Sequence, residues 1–338
     1  MSHLIAMQPR GFGAHVCWDL MGLRWCSTYG HDATICNHGL EVFKPMRDQA
    51  LRELKCGRPL LANQLVCINN WHSNYFHFLL ETLPALARGL EAIERDRLSF
   101  DGVLIDHCAG YVRYCLDKFA YNGPVKEAVG AAVPLQAPIV AQPVDLQAVS
   151  PSQRRLLMID VVLYLRSFFL NELLEASGRV DAPKRVFVER GLGCRDSSNF
   201  GFRRRLEPQK RFHRDLLRNS FHIVYLEQMT LAEQIILFAA ADEVVAVHGA
   251  ALTNIVFCRP DCRISEIVID RYAEGTLFQD LAAAAGLSRF RTLLAASALD
   301  EGEELEYWKS LGPGGVKPDP LRLPLRYDEH IRESLSLL

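Results

Sequence analysis

The hydrophobic positions in the second half of the chain alternate between two periodicities. Short apolar runs of strand length occur at 185–189, 222–226, 243–247, 264–269 and 289–294. Apolar residues with helical spacing lie between them, at 209–219, 231–241, 251–257 and 277–285. Strands that alternate with helices are typical of a doubly wound, mostly parallel sheet, so the sequence predicts an α/β fold.

Two local patterns predict helix ends in this region. Thr230, with Glu233 three residues later, has the spacing of a capping box and predicts a helix that starts at 231. Gly286 follows the helix over 277–285 and is expected to end it, because glycine is the residue that most readily adopts the left-handed conformation there.

The first half of the chain is less regular. A helical pattern covers 74–93, and Pro84 should kink or restart that helix because proline has no backbone N–H to donate. The other predicted elements are short strands at 14–20, 34–36, 65–69 and 102–105 and a helix at 111–119.

A proline-rich stretch at 123–150 is interpreted as a domain margin. A long predicted helix over 151–176, capped by Ser150 or Ser152, follows it. The predicted domains are an N-terminal α/β domain over 1–150, a C-terminal domain over 151–311, and a tail over 312–338. This tail, with a short final helix at 328–337, is expected to pack back on the N-terminal domain.

The composition excludes several classes of protein. With 38 Lys and Arg against 40 Asp and Glu, the net charge of −2 argues against a dedicated nucleic-acid-binding protein. No apolar run reaches the length of a transmembrane helix, about 18 residues, and the first thirty residues lack a signal-peptide pattern. We therefore expect a cytoplasmic location. The ten cysteines include no Cys-x-x-Cys pair, so we expect free thiols and no metal site.

Arginine accounts for 30 of the 38 cations, and the positions of these arginines along the chain indicate where an anionic ligand would bind. Residues 184–218 hold eleven Lys and Arg but only four acidic residues. A predicted strand leads into Arg190, and Arg195, Arg204 and Arg205 follow in the next loop. A basic loop at the carboxyl end of a strand suits an anionic ligand, although a solvated basic face fits the same pattern.

A second motif joins a strand to a helix. The strand 243–247 leads into His248, and Gly249 and Ala250 then open a helix. The exposed N–H groups of a helix start, beside residues without bulk, suit a diphosphate, and His248 can donate a further hydrogen bond. A tight strand–helix turn with a buried histidine is the alternative interpretation.

The third motif lies in the helix over 74–93. His77 and Glu81 are four residues apart and share one face of the helix. A carboxylate beside an imidazole orients the ring, which suits a general base. An ordinary helical contact explains the same spacing. A zinc site that includes His72 is disfavoured, because His-x4-His does not place both rings on one helical face.

Taken together, these motifs resemble glycosyltransferase family 61 over about residues 68–270. The corresponding segments are Asn74–Pro84, Arg190 to Arg205, Leu231–Ala241 with Gln234, His248–Asn254, Pro260 and Glu266. The block His-Gly-Ala-x-Leu-Thr-Asn is the most specific of them. The sequence departs from the family at 206–209, after the arginine run, so the choice among Arg195, Arg203, Arg204 and Arg205 as phosphate ligands stays open.

The resemblance implies a GT-B architecture, in which two Rossmann-like α/β/α domains face a central cleft. It implies an inverting, metal-independent transfer from a nucleotide sugar, with a UDP-sugar as the expected donor and no cofactor. The sequence itself contains no Asp-x-Asp, the motif with which metal-dependent GT-A transferases hold a cation.

The partners that the resemblance implies are the nucleotide sugar and a glycan or lipid-linked glycan acceptor of surface polysaccharide synthesis. No nucleic acid is expected. Peripheral association with membrane-bound polysaccharide machinery would place the protein at the inner membrane face.

The resemblance also implies residue roles. Glu81 or His77 is the expected catalytic base. The expected donor site comprises Arg190, Arg195, Arg204, Arg205, His248, Gly249, Ala250, Asn254 and Glu266, with Asn254 or Glu266 on the ribose or base. The alternatives are a non-catalytic nucleotide-binding protein with a degenerate transferase fold, a polyanion-binding scaffold and a zinc hydrolase. Only the transferase interpretation uses all three motifs.

Overall fold

The computed structural model describes residues 15–20, 23–28, 61–62, 64–67, 74–105, 108–127, 133–136, 139–141, 143, 146, 149–190, 205–270, 277–310 and 323–337. The chain divides into two compact units, Met1–Arg154 and Arg155–Leu338. Each unit contains a parallel sheet with helices between its strands. The α/β class predicted from the sequence is therefore confirmed.

The described elements of the first unit are eight strands and three helices. The strands are β1 (His15–Leu20), β2 (Leu23–Thr28), β3 (Leu61–Ala62), β4 (Gln64–Cys67), β5 (Gly102–Ile105), β6 (Val125–Glu127), β7 (Val133–Gln136) and β8 (Ile139–Val140). The helices are α1 (Tyr75–His77), α2 (Leu83–Asp96) and α3 (Gly110–Lys118). The strand predicted at 34–36 lies outside the described residues.

The first unit is organised around a parallel sheet in the order β6-β5-β4-β8. A second, mixed sheet has the order β1-β2-β7-β3. In the parallel sheet the chain moves from β4 to β5 and β6 on one side and later adds β8 on the other. The strand order therefore reverses between β4 and β8. The proline-rich stretch 123–150 supplies β6 and β8 to this sheet and ends close to the boundary of the first unit at Arg154.

The helical region that begins at Tyr75 contains one wide turn. Between α1 and α2 the residues Phe78–Thr82 form a π-helical turn, in which the N–H of Leu83 donates to the carbonyl of Phe78. Pro84 comes directly after this turn and has no N–H to continue an α-helical ladder. The predicted interruption is thus present, and it takes the form of a π turn, a feature that is frequent at functional sites.

The described elements of the second unit follow the alternation predicted from the sequence. The helices are α4 (Pro151–Phe168), α5 (Leu170–Gly178), α6 (Gln209–Arg218), α7 (Leu231–Ala240), α8 (Leu277–Ala284), α9 (Glu301–Ser310) and α10 (Glu329–Ser334). The strands are β9 (Arg185–Glu189), β10 (Leu206–Glu207), β11 (His222–Tyr225), β12 (Glu243–Val247), β13 (Arg263–Ile269), β14 (Arg289–Ala295) and β15 (Leu325–Arg326). Two 3₁₀ helices cover Leu226–Gln228 and Ala250–Phe257.

The main sheet of the second unit has five parallel strands in the order β11-β9-β12-β13-β14. This is a doubly wound order that reverses between β9 and β12, so the prediction of a doubly wound sheet is confirmed. Thr230 and Glu233 form the predicted capping box at the start of α7. Gly286, with φ of 75°, follows α8 in the left-handed conformation expected of a helix end.

Two helix predictions needed correction. The helix predicted over 151–176 is interrupted at Phe169, whose backbone leaves the helical range. Its start is as expected, since the hydroxyl of Ser150 accepts the N–H of Gln153 at 3.4 Å. The residues predicted as an α-helix over 251–257 form a 3₁₀ helix instead.

The C-terminal segment 323–337 packs on one face of the second unit's main sheet. Leu325, Tyr327 and Ile331 belong to the same buried cluster as Phe187 of β9. The Tyr327 hydroxyl donates to the carboxylate of Asp215 at 2.9 Å. This segment therefore completes the core of the second unit, where the sequence had suggested a return to the N-terminal domain. Its apolar residues share one buried cluster with Phe212 and Leu216 of α6.

Within the described ranges, no helix combines the length and the apolar character needed to cross a lipid bilayer.

Candidate functional site

The first group of predicted site residues lies where α1 of the first unit continues into the π-helical turn: His77 ends α1 and Glu81 lies in the turn. The Nδ1 of His77 donates to Oε2 of Glu81 at 2.8 Å. The other carboxylate oxygen, Oε1, accepts the backbone N–H of Leu146 at 2.9 Å. His77 and Glu81 are each 3% exposed, so the pair is buried. The sequence prediction that these two side chains meet on one helical face is confirmed.

The position of this pair follows from the strand order. The helical region that carries His77 and Glu81 comes after β4, and Leu146 comes after β8. Glu81 thus links the segment after β4 to the segment after β8, and the strand order of the sheet reverses between these two strands. Ligands of doubly wound sheets bind outside the carboxyl ends of the strands at such a reversal.

The second group lies at the corresponding reversal of the second unit. His248 directly follows β12, and its backbone N–H donates to the carbonyl of Ile267 at 2.8 Å. Its ring Nδ1 donates to Oε1 of Glu266 at 2.5 Å. Glu266 projects from β13 and is 1% exposed, and its Oε2 accepts the hydroxyl of Thr292 at 3.3 Å. The ring of Phe278 packs edge-on against His248.

Glu266 was expected to contact the nucleotide, and the structure places it against His248. The signal for this pairing is visible in the sequence only as a glutamate within the otherwise apolar strand Arg263–Ile269. A buried carboxylate in such a strand needs a partner, because an unpaired buried charge is costly. Which residue becomes the partner of this carboxylate depends on the register of β12 and β13, in which Ala246 lies opposite Glu266.

The residues after His248 begin the 3₁₀ helix over Ala250–Phe257, with Gly249 as its cap. The first N–H groups of a helix have no partner within the helix and point outward from its start. At the other end, the guanidinium of Arg166 donates to the carbonyls of Val256 and Cys258, which fixes the helix on α4. The predicted turn from strand to helix is therefore present, with a 3₁₀ helix, while diphosphate binding at its start stays a prediction.

Arg190 lies beside His248 at the end of the neighbouring strand. In the register of β9 and β12, Val188 lies opposite Ala246, so Arg190 and His248 both come two residues beyond this pair. The backbone N–H of Arg190 donates to Oε1 of Glu189 at 3.1 Å. The structure thus brings Arg190 and His248 to adjacent strand ends, as the sequence predicted.

Arg205 is the other described member of the predicted arginine set; Arg195, Arg203 and Arg204 lie outside the described residues. The Nε of Arg205 is buried and has no hydrogen-bond partner among the described residues. The Arg205 carbonyl accepts the N–H of Leu325, which fixes its backbone. Buried polar groups nearly always have a partner, so the Nε of Arg205 is an exception among the described residues.

The positive charge of 184–218 is divided between two ends of the sheet. Arg185 begins β9, and its guanidinium donates to Oε2 of Glu243 at 2.8 Å. Lys184 donates to the carbonyl of Ala240. These cations lie at the edge of the sheet where the parallel strands begin. Arg190 lies at the opposite edge, because it follows the last residue of β9. The excess of cations in the sequence therefore overstates the charge at the carboxyl edge.

Asn254, predicted to contact ribose or base, is fully buried in the 3₁₀ helix. Its amide donates to Oε1 of Gln234 at 3.1 Å. The amide of Gln234 donates in turn to the carbonyls of Leu226 and Met229. The two side chains thus join the motif that follows β12 to the turn that follows β11.

A further buried carboxylate, which no sequence motif indicated, lies at the end of β9. Glu189 is 5% exposed, and its Oε2 accepts Nε2 of His213 at 2.7 Å and the amide of Gln209 at 3.3 Å. Glu189 therefore fixes the start of α6 beside Arg190. These contacts bring together residues twenty or more positions apart, which local patterns do not reveal.

No group of three or more potential metal-ligating side chains occurs among the described residues, while His72 lies outside them. Cys258 and Cys262, at the turn after the 3₁₀ helix, are buried thiols. Burial raises the pKa of Cys258, and the neighbouring thiol of Cys262 raises it further. Such a thiol is not a reactive nucleophile.

The comparison with protein families identifies one family for this chain. The family model described as Glycosyltransferase 61 matches residues 75–265, more than half of the chain. The matched range includes His77, Glu81, Arg190 and His248. A search of curated proteins found no match. The resemblance predicted from the motifs is confirmed by the family match, and the chain belongs to the glycosyltransferase 61 family.

Proposed function

We propose that this chain transfers a sugar from a UDP-sugar to a hydroxyl group of a glycan acceptor, with inversion at the anomeric carbon and without a bound metal. Its family membership supports transferase activity. The observation that carries the proposal is the placement of Arg190 and His248 on adjacent strand ends, where the sheet order reverses. The start of the 3₁₀ helix over Ala250–Phe257 follows directly.

The leaving group in this reaction is a nucleoside diphosphate, and its developing negative charge must be stabilised. We assign this role to Arg190, Arg205, His248 and the backbone N–H groups at Gly249 and Ala250. The buried Nε of Arg205 supports the assignment, because a phosphate oxygen would supply its missing partner. The sequence contains no Asp-x-Asp for a cation, so protein groups would carry this charge alone.

The acceptor hydroxyl must lose a proton as it attacks the sugar. In the proposal, Nε2 of His77 takes this proton while the hydroxyl oxygen forms a bond to the anomeric carbon. The bond from that carbon to the diphosphate oxygen breaks at the same time, which inverts the configuration. Both oxygens of Glu81 already accept hydrogen bonds, from His77 and from Leu146, so Glu81 acts as the residue that positions His77.

The finer fold prediction, a GT-B architecture, belongs to the same proposal. It is supported by the presence of a separate parallel sheet with reversed strand order in each unit. A glycan or lipid-linked acceptor of surface polysaccharide synthesis, and a cytoplasmic site of action at the inner membrane face, are proposed from the family resemblance.

The proposal is tested by incubating the wild-type protein with a panel of UDP-sugars in EDTA and measuring UDP release. Turnover of one UDP-sugar with formation of a product of opposite anomeric configuration, seen by NMR, is the expected result. His77→Ala should lower the rate by about 10²–10⁴-fold, the usual contribution of a general base. Retained anomeric configuration, or turnover that requires a divalent cation, would overturn the proposal.

Polyanion binding is a second candidate function, favoured by the exposed cations of α6. Lys210, Arg211, Arg214 and Arg218 lie on the exposed side of this helix. Binding to a heparin column that weakens steeply with salt would support it. Release of the protein at low salt would exclude it.

A further inference from the structure

We propose that an exposed apolar stripe along α4 and α5 is the interface of a two-fold symmetric dimer, with a second copy of this chain as its partner. The stripe consists of the outward-facing leucine and isoleucine side chains of these helices, Leu156, Ile159, Leu163, Leu170 and Leu174. Each of them is between 37% and 67% exposed. The proposal concerns a surface of the second unit and does not depend on the proposed function.

The stripe continues across the interruption between the two helices. The backbone N–H of Phe169 donates to the carbonyl of Leu165 at 2.9 Å, and the N–H of Leu173 donates to the carbonyl of Phe169 at 3.1 Å. Helical hydrogen bonds thus span the interruption. With about 3.6 residues per turn, the side chains of the stripe fall within a sector of roughly 80° around the helix axis.

The spacing of the stripe is that of a helix that packs along another helix. Leu156, Leu163 and Leu170 are seven residues apart, and Ile159 and Leu174 lie three or four residues from a neighbour in the stripe. A narrow apolar stripe with a seven-residue repeat is typical of helices that pack side by side. A helix that only covers the core of its own domain usually has a broader stripe.

The opposite side of these helices already covers the core of the second unit. Met158, Val162 and Leu165 of α4 are buried. The guanidinium of Arg166 donates to the carbonyl of Val256 at 2.7 Å, which fixes α4 on the rest of the unit. The stripe is thus additional to the side that the unit uses for its own packing. A contiguous apolar patch of this kind on a protein surface indicates an interaction site.

The stripe is complementary to itself when two copies run in opposite directions. Its ends, Leu156 and Leu174, lie nine residues on either side of position 165. Around a two-fold axis at that position, Leu156 of one copy meets Leu174 of the other, and Ile159 meets Leu170. Leu163 lies two residues from the axis, where it contacts its own symmetry mate. A closed two-fold interface requires such self-complementarity.

The charges beside the stripe have the same symmetry. Arg155 and Glu175 lie ten residues on either side of position 165, so Arg155 of one copy faces Glu175 of the other in the antiparallel pair. Their side chains are 60% and 51% exposed. Arg155 also contacts Asp280, and Glu175 contacts Arg179, but a guanidinium or a carboxylate can bind more than one partner. This charge complementarity favours a second copy, in the antiparallel arrangement, as the occupant of the stripe.

The size of the stripe predicts a moderate affinity. Residues 156–174 span about 27 Å of helix. A single pair of helices of this length buries less than the roughly 800 Å² per partner of a standard interface. Asp160 and Asn171 are exposed beside the stripe and supply a polar rim. We therefore expect a dissociation constant on the order of 1–10 μM, so that monomer and dimer exchange.

The test is sedimentation velocity of the full-length protein from about 0.5 to about 100 μM, a range that brackets the expected dissociation constant. The wild type should change from monomer to dimer over this range. Leu163→Glu places two like charges next to the axis and should weaken association about thirtyfold or more, as loss of a central anchor does. The matched control is Leu217→Glu, at a similarly exposed leucine of α6, which should associate like the wild type.

Two charge-reversal variants test the arrangement of the copies. Arg155→Glu or Glu175→Arg alone places like charges opposite each other and should weaken the dimer about threefold to tenfold, since each exposed pair occurs twice. When the two variants are mixed, a dimer with one copy of each joins opposite charges at both contacts. The mixture should therefore associate more tightly than either variant alone, with no further substitution that could disturb folding.

The outcomes that contradict the proposal are distinct. A wild type that stays monomeric at the highest concentration would overturn it, and so would a dimer that Leu163→Glu leaves intact. Mixed charge-reversal variants that associate no more tightly than each alone would overturn the antiparallel arrangement. Co-sedimentation with vesicles of phosphatidylcholine and phosphatidylglycerol tests a lipid surface as the occupant. Binding of a monomeric wild type to these vesicles, lost in Leu163→Glu, would overturn the dimer.

Discussion

The Oε2 of Glu81, in the π-helical turn, lies 2.8 Å from Nδ1 of His77, the last residue of α1. Its other oxygen accepts the backbone N–H of Leu146, which belongs to a segment that follows a different strand. The carboxylate therefore holds the imidazole in one orientation and fixes its tautomer. As the proposed base, His77 would not depend on a flexible side chain to meet the acceptor.

Glu81→Gln tests whether this pair is catalytic. We expect the variant to lower the rate of UDP release by on the order of a hundredfold, because the imidazole loses the carboxylate that orients it. The matched control is Glu94→Gln, which changes an exposed glutamate on the same helical region. A variant with lower stability but the wild-type rate per folded molecule would show that the pair has a structural role only.

Arg190→Ala tests the proposed anion site at the carboxyl edge of the main sheet of the second unit. We expect UDP affinity to fall about tenfold to a hundredfold by calorimetry, the range for a lost charge-assisted hydrogen bond. Arg185→Ala is the control, since Arg185 lies at the other end of the same strand and contacts Glu243. It should lower stability and keep UDP affinity. Equal UDP affinity for Arg190→Ala and wild type would remove Arg190 from the site.

Gln234→Leu tests the link between the two turns at the carboxyl edge. The substitution leaves the Asn254 amide and the carbonyls of Leu226 and Met229 without their side-chain partner. We expect a loss of about 1–3 kcal/mol in the free energy of unfolding, measured with urea, because a buried polar group without a partner is costly. Gln228→Leu, at an exposed position nearby, should change stability little. Equal stability of the two variants would contradict the structural role of Gln234.

Tyr327→Phe tests the attachment of the C-terminal segment. The variant loses the hydrogen bond from the Tyr327 hydroxyl to Asp215, and we expect it to be less stable by about 1–2 kcal/mol. A variant as stable as the wild type at neutral pH would argue against this contact.

The same tyrosine predicts a dependence of stability on pH. Burial, and then the Asp215 carboxylate, raise the pKa of Tyr327 above its ordinary value. The folded state therefore favours the protonated phenol. Its stabilisation is complete below the unfolded pKa of about 10 and is lost as the pH rises above that value. Urea unfolding between pH 8 and 11 should show this loss in the wild type and a smaller one in Tyr327→Phe.

Local sequence patterns were sufficient for much of the second unit. The apolar runs predicted four strands of the main sheet, and the observed bounds differ from the predicted ones by at most one residue. These strands are β9, β12, β13 and β14. Thr230 and Gly286 act where their chemistry predicted, because capping depends on residues within one turn of the helix. Periodicity also placed His77 and Glu81 together, since both lie on one helical face.

Contacts between distant parts of the chain were beyond these patterns. Glu266 meets His248 because β12 and β13 are neighbours in a particular register, and no local pattern encodes that register. The charge of 184–218 was assigned to one site, but strand direction sends Lys184 and Arg185 to the opposite edge. In the sequence, the C-terminal segment looks like a separate tail. No local pattern predicts that Tyr327 is buried against the main sheet of the second unit.

The most direct test of the account is binding of a nucleoside diphosphate without metal. We expect UDP in the presence of EDTA to raise the melting temperature of the wild-type protein by several degrees, as a ligand in large excess over its dissociation constant does. The Arg190→Ala variant should show a much smaller rise at the same UDP concentration. No rise with UDP in EDTA, or a rise that appears only when a divalent cation is added, would contradict the account.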